Sequence, residues 1–256
     1  MHPFIQNIRD NFEWLNCVFF QYKLFYYDLW SLVHLWGGAI IFAILTAYKV
    51  KKRWMKLLLI LSIFKVVETL FFVTELNLFK PEKSVDILND IAIGMFGGYL
   101  IYFFFKWEYT KKHAKWLALF ISSITIAFIW VGWYGYNYTI PFFNSPYINW
   151  WALISWTVSG MTIIYLFSYF KNTINYFFAV TTPWLLYLIL LLVVEYIAYH
   201  LLYLRETTQG EAPLIFDVVH GSKIMHGFYV TAPFYFIGLF ILLDFLLKNH
   251  EYVSEK

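Results

Sequence analysis

The stretch LLLILSIFKVVETLFFVTEL, residues 57–76, decides the fold. About 20 mainly apolar residues rising about 1.5 Å each match the hydrocarbon thickness of a bilayer, so this run predicts one membrane-crossing helix. It carries Lys65 and Glu68, three residues apart and therefore on one helical face. A helix entering near Leu57 puts Glu68 roughly 17 Å along its axis, close to the midplane. Charged side chains are costly at that depth and usually face a cavity or a partner, so Glu68 is a candidate proton carrier or substrate anchor. Lys65 is its neutralising neighbour.

Six further runs of the same kind flank this one. The sequence predicts spans over Leu29 to Tyr48, Leu57 to Leu76, Asp86 to Phe105, Trp116 to Tyr136, Asn149 to Phe170, Phe177 to His200 and Ile224 to Leu247. Composition agrees. Hydrophobic residues make up 61% of the 256 and charged residues 14%, against about a quarter in soluble domains. The expected class is an all-α, polytopic membrane protein with seven transmembrane helices in one bundle. The expected organisation is an N-terminal interfacial amphipathic segment over 1–28, the transmembrane domain over 29–248 and a short tail over 249–256. Leu15, Val18, Phe19, Tyr22, Phe25 and Tyr26 recur at helical spacing, so the first segment is read as a helix lying on the bilayer. Arg9, Asp10 and Glu13 there do not fit a signal peptide.

Basic residues crowd alternate boundaries. Lys49, Lys51, Lys52, Arg53 and Lys56 follow the first span, Lys106, Lys111, Lys112 and Lys115 the third, and Lys171 and Lys248 mark the same side. The positive-inside rule then places the N-terminus outside and the C-terminus in the cytoplasm. The net charge of +3 is explained by topology, and nucleic acid is not an expected partner. Cys17 stands alone, so no internal disulfide or Cys-based metal site is available. The many Trp and Tyr residues read as interfacial belts.

Acidic and histidine residues gather toward the other ends of the spans. Asp86, Asp90, Gly94 and Gly98 follow at intervals of four on one face of the third helix, and the two glycines form a small-xxx-small pattern for close helix approach. Asp90 is therefore expected to point into the bundle, while Asp86 suits an N-cap. Glu195 and His200 end the sixth span, Asp217, His220 and His226 bracket the start of the seventh, and His34 could join them. Such a set could hold zinc or iron, or share acid and base work. The spacings of five and six residues do not match helix neighbours, so metal is not the favoured reading. His113 and His250 read as solvated boundary residues. An aromatic stretch from Trp133 through Asn149 and Trp150 could wall a pocket or anchor the interface, and Ser155, Ser159 and Thr162 read as packing and hydrogen-bond residues. The long connection from Tyr203 to Lys223 could lid a site.

Two resemblances follow. Pro146-Tyr-Ile-Asn149-Trp150-Trp151-Ala152 resembles the Pro-x-x-Asn-aromatic turn of membrane carotenoid hydratases, which implies acid-catalysed addition of water to an isoprenoid double bond. An acidic residue on the third helix and two His opening the seventh look like the zinc site of the seven-helix hydrolases that include alkaline ceramidase and the adiponectin receptors. This chain departs from that pattern, with Glu68 and Glu75 where the family has Ser and His. A retinal-binding reading lacks a central Lys in the seventh span. No P-loop, His-Glu-x-x-His or Gly-x-Ser-x-Gly is present.

The expected function is an intramembrane enzyme, a lyase or hydratase, cyclase or hydrolase, acting on a membrane lipid or isoprenoid in the outer half of the bundle. Glu68 with Asp90 and Glu195 with His226 are the expected acid-base pairs, and Trp133, Asn149 and Trp150 the expected substrate-binding residues. No metal ligand is assigned, and a metal at the outer His and carboxylate cluster is the unfavoured alternative. The competing functions are an ion- or proton-coupled transporter or receptor, and a structural subunit of a membrane complex.

Overall fold

A computed structural model describes residues 6, 9–10, 12–22, 25–77, 79, 84–106, 108–145, 148–204 and 223–248. It is about 85% helical. The elements are β1 (Val18–Tyr22), β2 (Phe25–Asp28), α1 (Leu29–Ala47), α2 (Arg53–Val67), α3 (Ser84–Lys106), α4 (Glu108–Tyr134), α5 (Trp150–Thr173), α6 (Tyr176–Tyr196) and α7 (Lys223–Lys248). Two helices continue in π-helical form, α2 over Glu68–Glu75 and α6 over Ile197–Leu201. Among the described residues, seven helices are long and apolar enough to cross a membrane. Their outward faces are apolar too, with Leu70, Ile189, Leu190 and Val194 all exposed.

The N-terminal segment departs from expectation. In place of a helix through Leu15 to Tyr26, β1 and β2 form an antiparallel hairpin, pairing Phe20 with Tyr27 and Tyr22 with Phe25. Aromatic residues favour a pleated ladder, and the Phe20 and Tyr27 rings meet at 5.8 Å. The last hairpin residue starts α1. The Asp28 side chain accepts from Ser31 N at 3.0 Å while Asp28 N donates to Ser31 Oγ, a capping box. Burial pushes the Asp28 carboxyl above the usual range, and the Ser31 hydrogen bonds oppose that shift.

The span 29–248, expected as one bundle, divides between two compact units. The first comprises Met1–Ala114 with Phe245–Lys256, the second Lys115–Asp244. The division falls beside His113, where α4 leaves helical geometry.

In the first unit α1 and α3 are in the closest backbone approach. A Cβ on Gly38 would meet the Gly94 carbonyl, and one on Gly97 would meet the Leu35 carbonyl. Gly94 and Gly98 also receive Leu61 and Leu57 of α2, so the small-xxx-small face admits two neighbours. Gly38→Ala forces backbone against backbone and should cost about 1–3 kcal/mol or more, whereas Gly37, with nothing within 4 Å, should tolerate Ala. Thermal unfolding of the two variants in detergent checks this, and equal melting temperatures would contradict the crossing.

In the second unit Asn149 caps α5 through Ala152 N at 2.9 Å, and Asn175 caps α6 through Phe178 N at 3.1 Å. Ser122 and Ser123, fully buried on α4, return their hydroxyls to Ala118 O and Leu119 O, which hides their polarity. Gly160 of α5 lies under the Phe236 ring of α7. Pro233 removes the N–H that would bond the Tyr229 carbonyl one turn earlier, and the Tyr187 hydroxyl of α6 donates to that carbonyl at 2.8 Å instead. Trp184 Nε1 of α6 also donates to Val230 O at 2.8 Å. The proline thus welds α6 to α7.

Candidate functional site

The first unit gathers four ionisable side chains from three helices. Lys65 Nζ lies 2.6 Å from Asp90 Oδ2 and 2.8 Å from Glu68 Oε2, and His34 Nε2 lies 3.2 Å from the same Asp90 oxygen. Side-chain exposure is 4% for Lys65, 7% for Glu68, 11% for His34 and 12% for Asp90. The Glu68 contact is close in charge terms, but the oxygen lacks hydrogen-bond alignment, so Asp90 is the better-held partner. The layer is built by spacing. Asp90 stands one turn before Gly94, His34 one turn before Gly38 and Lys65 one turn after Leu61, so the glycine crossing brings all three together. Glu68 opens the π-helical segment, a geometry often found where side chains must be re-aimed.

Glu68 and Asp90 are therefore neighbours, as expected of a pair, but a lysine stands between them. His34 belongs with Asp90 in this unit and not with the Glu195 set, because its position one turn before Gly38 carries it onto the α3 crossing. Glu75 is exposed.

The second unit holds a groove of about 420 Å³ between α5 and α6. Its rim includes exposed Ser155, Ser159, Thr162, Leu186 and Leu190, and its floor includes buried Ala152, Trp156, Ile163, Pro183, Tyr187 and Glu195. One end is closed by Tyr138, Leu202 and Leu204, where Thr139 N donates to Leu204 O at 3.0 Å and ties the α4–α5 connection to the end of α6. Ser159 and Thr162 satisfy their hydroxyls on their own helix, so they contribute room and not polarity.

Glu195, buried on this floor, is joined to a network of hydrogen bonds. Trp130 Nε1 and Trp156 Nε1 donate to Tyr136 Oη at 2.9 and 2.7 Å. Tyr136 Oη also lies 3.3 Å from Tyr229 Oη, a hydrogen bond between the two hydroxyls. Tyr229 Oη donates to Glu195 Oε1 at 3.5 Å, long for such a bond. Tyr136, Tyr187 and Glu195 all line the groove.

The other expected residues are placed as follows. Trp133 packs on Trp130 and Phe228, and Trp150 on Phe142, Phe143 and Trp151; neither lines the groove, whereas Trp151 does. Asn149 holds the turn, capping α5 and donating to Tyr136 O and Asn144 Oδ1. Glu195 meets Tyr229, which lies three residues beyond His226 on α7; the His226 side chain lies outside the described residues. Asp217, His220, His250, Pro146, the Tyr203–Lys223 connection beyond Leu204, and the 249–256 tail also lie outside them. His200 packs on the Tyr196 ring. Among the described residues no three His, Cys, Asp or Glu side chains are placed to hold a metal ion.

Tyr136, Tyr138 and Trp151 of the aromatic stretch do line the groove, whereas sequence reasoning missed Tyr187, Tyr229, Trp130 and Trp156. Nothing in the spacing of 21 Tyr and 12 Trp separates a buried hydrogen-bonding ring from an interfacial anchor. No family model, no curated protein and no solved structure matches this chain.

Proposed function

We propose that this chain is a multi-pass membrane enzyme that draws an apolar chain, an isoprenoid or a lipid tail, sideways into the α5–α6 groove and protonates it from Glu195. The observation that supports this reading is one buried carboxylate at the floor of an otherwise apolar, aromatic groove, backed by the Tyr229–Tyr136 chain. Its volume falls in the usual range of small-molecule sites, about 300–1,000 Å³. The exposed apolar helix faces and the alternation of basic boundaries favour a membrane setting with the C-terminus in the cytoplasm and the groove in the outer half.

The chemistry is an acid-catalysed addition. The π electrons of a double bond form a C–H bond with the Glu195 proton, leaving a carbocation beside the aromatic faces of Trp156 and Tyr187, which attract positive charge. A water oxygen forms the C–O bond, and its surplus proton returns to the Glu195 carboxylate. Loss of a carbon-bound proton to the Glu195 carboxylate instead of water capture gives isomerisation, and attack of a second double bond of the chain on the cation before that loss forms the C–C bond of a cyclisation. This agrees with the hydratase resemblance around Asn149 and Trp151. The acid role rests on Glu195 and not on Glu68 or Asp90, since Lys65 contacts both of the latter.

Ser159→Trp tests the groove directly, because the new ring fills it from an exposed rim position. The wild-type protein purified in detergent should retain an apolar chain molecule detectable by mass spectrometry. The variant should lose it while keeping its melting temperature. Equal retention by both proteins counts against the groove.

A further inference from the structure

The α5–α6 groove has a stop at each end. Its innermost lining residues, Leu166 and Pro183, stand eight residues before and eight after the Ile174–Asn175 turn, so they lie level on two antiparallel helices. Inward of them the fully buried Phe167 ring meets the Tyr176 ring edge-on at 5.8 Å and bridges α5 to α6. At the other end Tyr138, Leu202 and Leu204 close the groove beside Trp151, pinned by the Thr139–Leu204 hydrogen bond. The α5 wall from Trp151 to Leu166 runs about 22 Å at the helical rise. A volume of about 420 Å³ drawn out over that length admits one chain and not two side by side.

We propose that the groove measures chain length and selects a single prenyl chain of about four isoprene units, with Leu166 and Thr162 setting its inner limit. This rests on the groove being the site of an apolar substrate. An extended isoprene unit has four main-chain bonds of about 1.5 Å and advances about 5 Å, so four units span the groove and a fifth meets Phe167. Ser155, Ser159 and Thr162 follow at helical spacing and keep the α5 rim low along most of the length. Leu166 is the first bulky side chain on that line, and it stands just before the Phe167 stop. Glu195, 20 residues beyond Asn175, is level with Ser155, 19 residues before Ile174. The acid therefore sits toward the Trp151 end, and the measured length extends from it toward Phe167. A seam that only accommodates bulk lipid has no need of two stops and takes long chains as readily as short ones.

The experiment uses the full chain in detergent. All-trans prenyl alcohols of two to six isoprene units compete in pairs, and native mass spectrometry reads the bound species. Wild-type affinity should rise to four units and fall about tenfold at five and six, the usual penalty of overpacking expressed as a ratio. Leu166→Trp should move the optimum to three units and Thr162→Trp to two. Leu166 is half-buried and Thr162 exposed, so both variants should keep the wild-type melting temperature. Wild-type affinity that keeps rising through six units overturns the proposal without any variant, and so do folded variants that weaken every length equally. In either case the groove itself stands if Ser159→Trp still abolishes binding. A wild type that binds none of the alcohols overturns the groove and the length limit together.

Discussion

Lys65→Met lowers the stability of the chain by about 3–5 kcal/mol, the usual consequence of removing one partner from a buried ion pair. The loss arises because Glu68 and Asp90 remain buried at a site where the ammonium stood 2.8 and 2.6 Å away. Methionine fills nearly the same volume, so packing contributes little to the effect. Adding Glu68→Gln and Asp90→Asn to Lys65→Met should recover most of the loss, since the triple variant buries no unbalanced charge. Thermal unfolding of the three proteins in detergent reads this out. A single variant as stable as the wild type would mean that the charges are reached by water.

Glu195→Gln reduces turnover of an isoprenoid substrate by about 10²–10⁴, the contribution expected of a positioned general acid. Glutamine keeps the shape and still accepts from Tyr229, so folding and occupancy of the groove are retained. Unchanged occupancy with lost turnover separates the proton role of Glu195 from a packing role. If occupancy falls with turnover, Glu195 binds and does not act as the acid.

Much of the architecture was readable before any coordinates. Helices α1 and α7 begin and end within one residue of the expected spans, because Asp28, Lys49 and Lys248 bound apolar runs of membrane length. The Lys65–Glu68 contact follows from a spacing of three on one helix. Asp90 follows from sharing a face with Gly94 and Gly98. What was not readable depends on pairings between distant segments. His34 meets Asp90 only because Gly38 and Gly94 let α1 and α3 touch. The Tyr136–Tyr229 contact joins residues 93 apart, and no periodicity encodes which tyrosine faces inward. The hairpin was missed because its aromatic residues satisfy helical spacing as well as strand propensity, and ladder pairing decides between them.

The central claim is that Glu195 delivers a solvent-derived proton to carbon in an apolar chain. The most direct measurement places the purified protein in D2O with an isoprenoid extract of the membranes that produced it, then looks by mass spectrometry for deuterium in non-exchangeable C–D positions. The wild type should give a product with one deuterium on carbon, and Glu195→Gln should give none above a protein-free control. Wild-type protein that leaves every isoprenoid unlabelled, or labelling that Glu195→Gln matches, would contradict the claim.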